Sequence, residues 1–161
     1  MKAKLYTLLA IWLLCACTQK PENATLVNTL PTIFPDYTDV TVPVGIAPLN
    51  FNVVADTPVE CVDVTVTGGN GVTVHANGKW AKFDIDSWHQ LLEANVGGKL
   101  AVSVQAKING QWYKYNDFTI FVSEYPLDEW GVTYRRIAPG YEVYSSLGIY
   151  QRDLSNFDEF S

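Results

Sequence analysis

Apolar and polar residues alternate in several segments between residues 39 and 122, and this period of two constrains the fold most strongly. Such a period is typical of strands that turn one face to a core and the other to water. The apolar members are Val40, Val42, Val44, Leu49, Phe51, Val53, Val62, Val64, Val66, Val72, Val74, Ala76, Leu100, Val102, Val104, Ala106, Phe118, Ile120 and Val122.

Turn and helix signals divide these segments. Asn77-Gly78 and Asn109-Gly110 each predict a tight hairpin, because Asn-Gly tolerates the positive φ angles of a type I′ turn. Residues 87–96 predict one short crossover helix, with Ser87 as N-cap and Gln90 completing a capping box. We therefore predict an all-β chain: a single immunoglobulin-like β-sandwich of about seven strands with one short helix, preceded by a signal peptide.

The first seventeen residues have the form of a secretory signal. Lys2 and Lys4 precede an apolar run that is too short to span a bilayer. The run ends in Leu14-Cys15-Ala16-Cys17, which resembles the bacterial lipoprotein signal, the lipobox. The resemblance implies that Cys17 becomes the lipidated first residue of a mature envelope lipoprotein. The residue after Cys17 is Thr18 and not the aspartate that retains lipoproteins in the inner membrane of enterobacteria. This favours the outer membrane, and both its periplasmic and its surface face remain possible.

Charge and cysteine content restrict the partners. The 161-residue chain has a formal net charge of -6, which becomes -8 when Lys2 and Lys4 leave with the signal. An acidic chain without a basic patch argues against nucleic acid and against electrostatic binding to anionic lipid, so we expect a covalent membrane anchor. Of the three cysteines, cleavage removes Cys15 and acylation uses Cys17, so Cys61 has no intramolecular disulfide partner.

These features predict four segments: a signal peptide at 1–16, a polar tether at 17–35, the sandwich at 36–124 and an irregular, aromatic-rich tail at 125–161. The tail carries too many large apolar groups for a solvated linker and is too short to bury its own core. We expect residues 134–150 to dock back on the sandwich.

Several segments resemble the N-terminal portion of a lipoprotein family of Bacteroidota. They are residues 33–37, 46–51, 139–141 and 148–154. Members of that family are labelled TolB-like or WD40-like β-propeller proteins, and sometimes cytochrome c biosynthesis proteins. The resemblance implies a propeller after the Gln-Arg-Asp-Leu segment. The sequence contains neither the propeller nor the Cys-x-x-Cys-His haem motif, so we expect the N-terminal portion alone and no cofactor.

Residues with catalytic or metal-binding chemistry are few. His75 and His89 have no second histidine or cysteine at metal-ligand spacing. Asp84 and Asp86 precede the predicted helix. Their negative charges favour the start of the helix through its dipole, or, alternatively, the two carboxylates join a calcium site. We expect no metal and no enzyme activity.

The aromatic segment around Trp112 is the strongest binding candidate. Trp112 and Lys114 point to one side of their strand, and Tyr113 and Tyr115 to the other. One pair faces outward as a platform for sugars, or the tail covers it. Two functions remain: a non-enzymatic structural or interaction module that contacts another envelope protein or a propeller, and a glycan-binding lipoprotein of a polysaccharide-uptake system.

Overall fold

The long strands bury alternate side chains, as the two-residue period predicts. The computed structural model of the protein describes residues 20–127, 131–137 and 148–160. Val62, Val64 and Val66 are at most 1% exposed, whereas Thr65 and Thr67 between and beside them are only half-buried. The described residues form an all-β sandwich with one short helix, which confirms the predicted fold class.

Twelve strands and one helix lie in the described residues. In chain order they are β1 (Thr25–Leu26), β2 (Ile33–Phe34), β3 (Thr41–Val44), β4 (Asn52–Val53), β5 (Val59–Gly68), β6 (Thr73–Gly78), α1 (Ile85–Glu93), β7 (Lys99–Ile108), β8 (Gln111–Lys114), β9 (Phe118–Pro126), β10 (Gly131–Arg136), β11 (Gly148–Asp153) and β12 (Glu159–Phe160).

Strand β7 is a central strand of the main seven-stranded sheet and pairs with three other strands. One edge of β7 pairs antiparallel with β5, which pairs in turn with β6. The other edge is divided, because residues 99–102 pair with β9 and residues 105–108 with β8. Strand β1 then adds to β8, and β3 to β9, both in parallel orientation.

A second layer covers the apolar face of this sheet. It comprises α1, the short β2–β4 ladder and the segment around Ala81, whose backbone exchanges two hydrogen bonds with Phe51, 3.1 and 2.9 Å long. The ring centroids of Phe83 and Trp88 lie 5.4 Å apart with the rings tilted by 30°, and Trp88 is fully buried. Since each large apolar side chain contributes about 1.5–3 kcal/mol on burial, this interlayer core is the main source of stability.

Helix α1 begins earlier than the sequence predicts. Asp84, not Ser87, is the N-cap: its carboxylate accepts hydrogen bonds from the Ser87 backbone N–H (2.9 Å) and hydroxyl (2.8 Å). The predicted Ser87–Gln90 capping box is therefore wrong. Both candidates are short oxygen-bearing residues ahead of an apolar stripe. Asp84 is the cap because its carboxylate reaches the backbone N–H of Ser87, three residues further along.

Asp84→Ala should destabilise the protein, because it removes the only side-chain cap seen on the first turn. Hydrogen bonding by Ser87 lowers the pKa of Asp84 below its ordinary value of 3.8. The stabilisation is therefore present above pH 3.8 and is lost as the pH falls through the lowered native pKa. We expect a lower thermal midpoint at pH 7, and a difference from wild type that shrinks as the pH falls below 3.8 and through the lowered pKa. The exposed Asp56→Ala serves as the control; equal effects of the two substitutions would contradict the cap.

One Asn-Gly hairpin is confirmed and the other is wrong. Asn109 and Gly110 have φ angles of 51° and 78° and join β7 to β8. Asn77 instead stays in β6, where it pairs with Asp63, and the chain then turns away so that Ala81 reaches Phe51. Long-range pairing thus overrides the local turn signal.

The predicted tether contains structure. Strand β1 pairs with β8, and the Val27 N–H donates to the Lys114 carbonyl at 2.8 Å. Strand β2 pairs with β4 and buries Ile33, which is 6% exposed. The tether prediction is therefore wrong from about residue 25 onward. Strands of two residues are too short to show a period, so the alternation could not reveal them.

The predicted irregular tail is also wrong in its described part. Strands β10, β11 and β12 form a separate antiparallel sheet, which we call the C-terminal sheet. A backbone hydrogen bond joins the end of this segment to the sandwich: the Ala47 N–H donates to the Leu154 carbonyl at 2.8 Å. Residues 138–147 of the predicted docking segment lie outside the described residues.

Candidate binding surfaces

The aromatic strand β8 is largely covered. Trp112 is 6% exposed and lies opposite Lys107, while Tyr113 lies opposite the core residue Ala106. Tyr115 packs against the core, and burial, reinforced by Tyr113, raises the pKa of its hydroxyl. The three predicted contact residues therefore do not form a flat, exposed row. Strand β1 pairs along the edge of β8, within the plane of the sheet.

A polar cluster lies on the face of the main sheet opposite the core. Asp63, 8% exposed, accepts hydrogen bonds from Asn77 Nδ2 at 2.9 Å and from His75 Nε2 at 3.0 Å. Two donors offset the cost of burying this carboxylate. The sulfur of the buried Cys61 lies 4.0 Å from the Asn77 amide oxygen. This arrangement fits a structural network that links β5 and β6, and no group of three or more metal-ligating side chains occurs in the described part of the chain.

A shallow cleft of about 470 Å³ lies beside strand β4. Its lining consists of Asn52, Val53, Pro58, Val59, Lys79 and Trp80. The Trp80 side chain is 53% exposed, which is unusual for the largest apolar side chain. The paired backbones of Phe51 and Ala81 set Asn52 and Trp80 next to one another, one residue further along.

A second exposed aromatic residue flanks the same asparagine. Asn52 pairs with Phe34 of β2, and Phe34 is 67% exposed. Ile33 and Val53 are buried, so the alternation turns Phe34 and Asn52 outward on the same face. Because neighbouring strands lie about 4.8 Å apart, Phe34 and Trp80 flank Asn52 across roughly 10 Å. We call Phe34, Asn52, Lys79 and Trp80 the Trp80 site.

The C-terminal sheet has one face held by a cluster of side chains. The rings of Tyr134 and Tyr150 stack at 6.0 Å between centroids, and the Arg136 guanidinium lies 4.6 Å from the Tyr150 centroid. Arg136 Nη2 also lies 2.8 Å from a carboxylate oxygen of Glu159. The Tyr134 hydroxyl donates to the same carboxylate, and this hydrogen bond raises the pKa of Tyr134. These contacts tie all three strands together.

The opposite face of the C-terminal sheet exposes two large apolar side chains among polar ones. Ile149 is 70% exposed and Phe160 is 62% exposed, and Phe160 pairs with Gln151 in the neighbouring strand. Together with Thr133 and Gln151 they line a shallow depression of about 360 Å³. Arg135, opposite Ile149, adds an exposed positive charge. We call this surface the Ile149 face.

Comparison with family models, with curated proteins and with solved structures finds no match. The resemblance to propeller lipoproteins therefore remains a prediction. Within the described residues, no helix has the length and hydrophobicity needed to cross a bilayer.

The predicted and observed sites differ in position. Cys17, the predicted lipidation site, lies outside the described residues. Sequence reasoning missed Trp80 and Phe34, because the Phe34–Asn52 and Phe51–Ala81 pairings that bring them to one layer have no local signal. It also missed Ile149 and Phe160, although the apolar excess of the tail indicated that some surface there needs a partner.

Proposed function

We propose that the chain is a non-enzymatic, lipid-anchored module of the cell envelope that binds another protein through the Ile149 face. The observation that carries this proposal is the pair of exposed apolar side chains, Ile149 and Phe160, on an otherwise ordered sheet. Neighbouring exposed apolar side chains on a soluble protein can mark an interaction site.

The architecture of the C-terminal sheet supports a docking role. Its other face is fixed by Arg136, Tyr134, Tyr150 and Glu159, so the Ile149 face is held in one shape before a partner arrives. Preorganisation of this kind lowers the entropy cost of binding. An apolar centre with a charged residue such as Arg135 at its edge also matches the usual anatomy of a protein interface.

The remaining parts of the proposal rest on the sequence. Acylation of Cys17 would hold the module at the outer membrane, since several acyl chains bind a bilayer far more firmly than one. The partner would be a β-propeller, or another envelope protein that takes its place, as the family resemblance implies. The sandwich then acts as the spacer that presents the C-terminal sheet.

Co-purification from detergent-solubilised membranes of the producing cells tests this proposal. We expect one protein to co-purify stoichiometrically with wild type. Its yield with the double variant Ile149→Ser, Phe160→Ser should fall at least about tenfold, because central apolar contacts each contribute more than about 1 kcal/mol. The control is Val72→Ser, Val96→Ser, which removes two exposed apolar side chains from the sandwich. Equal recovery with all three proteins, or no stoichiometric partner with wild type, would contradict docking at this face.

A further inference from the structure

We infer that the Trp80 site binds an extended oligosaccharide. This inference is independent of the proposed docking role, because the Trp80 site lies on the β2–β4 layer of the sandwich rather than on the C-terminal sheet.

The first argument concerns the two rings. Trp80 and Phe34 are both more than half exposed and flank one residue, Asn52, on the outward face of the layer. A pyranose ring presents a flat patch of C–H groups that stacks on an aromatic ring, while its hydroxyl groups stay in water. Two such rings roughly 10 Å apart suit two sugars of one chain, and suit a compact small molecule poorly.

The second argument concerns the polar groups between and beside the rings. The Asn52 amide offers both a donor and an acceptor, which matches the mixed character of sugar hydroxyl groups. Lys79 lines the same cleft and adds an ammonium group that can donate to a hydroxyl or to the carboxylate of an acidic sugar. A few convergent polar groups on an otherwise apolar lining are typical of ligand sites.

The third argument concerns shape. The cleft of about 470 Å³ is shallow rather than enclosed, which leaves room for a chain longer than one sugar. An extended chain of sugars needs only the rings and the polar edge.

Affinity electrophoresis and calorimetry with defined probes test the inference. The probes are hexasaccharides of β-1,4-glucose, α-1,4-glucose and α-1,4-galacturonate, with their parent polysaccharides in the gel. We expect wild type to bind at least one probe at millimolar concentration. Trp80→Ala should raise the Kd for that probe about tenfold or more, and Trp80→Phe should raise it less because a ring remains.

The controls separate stacking from folding and from docking. Phe34→Ala should weaken binding, whereas Tyr125→Ala, which removes an aromatic side chain that is 77% exposed elsewhere, should not. The Ile149→Ser, Phe160→Ser variant should bind the probe like wild type, so failure of one proposal is distinct from failure of the other. Absence of binding to every probe, or unchanged binding by a folded Trp80→Ala variant, would overturn the inference.

Discussion

Val104→Asp should reduce the free energy of unfolding by about 3–5 kcal/mol, a large share of the stability of a domain this size. Val104 is fully buried in β7 and lies opposite Val64 of β5, at the centre of the main sheet. A carboxylate there leaves water without a cation or a set of hydrogen-bond donors to replace it. Urea unfolding followed by tryptophan fluorescence measures the loss, and Val102→Asp should behave similarly for the same reason.

Two controls isolate the cause of that loss. Val104→Thr keeps the volume and replaces one methyl group by a hydroxyl, so its cost should fall well below that of the carboxylate. Thr65→Asp places the same carboxylate on the opposite face of the sheet, where Thr65 is half-buried, and should cost about 1 kcal/mol or less. If Thr65→Asp and Val104→Asp unfold at the same urea concentration, the assignment of the core face is wrong.

Cys17→Ser should abolish lipidation completely. The lipobox predicts that the Cys17 sulfur takes a diacylglyceryl group by a thioether bond, which a serine hydroxyl cannot replace. Without the acyl chains the acidic chain has no charge attraction to an anionic membrane. Mass spectrometry of the membrane fraction should show acyl mass on wild type and none on the variant. Cys61→Ser is the control, because Cys61 is buried in β5.

Two results would contradict the predicted lipid anchor at Cys17. A mature chain that begins at another residue and carries no acyl mass would contradict the anchor, as would lipidation that persists in Cys17→Ser. Loss of lipidation in Cys61→Ser as well would show that the effect comes from misfolding rather than from the acceptor sulfur.

The long strands could be predicted because their burial is periodic. Val62, Val64 and Val66 alternate with polar residues, and that pattern alone identifies the face they bury. The β7–β8 hairpin could be predicted because Asn109 and Gly110 adopt the positive φ angles that their residue types favour. These features depend on neighbours in sequence, so the sequence contains the information directly.

The short strands and the binding surfaces could not be predicted for the opposite reason. Strand β1 is held beside β8 by main-chain hydrogen bonds, which any residue other than proline can make. Alternation placed Trp112 and Tyr113 on opposite faces but could not show which face is covered. The juxtaposition of Phe34, Asn52 and Trp80 depends on pairings between residues 18 to 30 positions apart.

Site-specific photo-crosslinking in intact cells tests the docking claim most directly. A photoreactive amino acid replaces Ile149, Phe160 or, as a control, Asp56, which is exposed on the sandwich. We predict one discrete adduct from positions 149 and 160 with the same protein, and no such adduct from position 56. No adduct from position 149 or 160, or the same adduct in equal yield from position 56, would contradict the claim that the Ile149 face binds a partner.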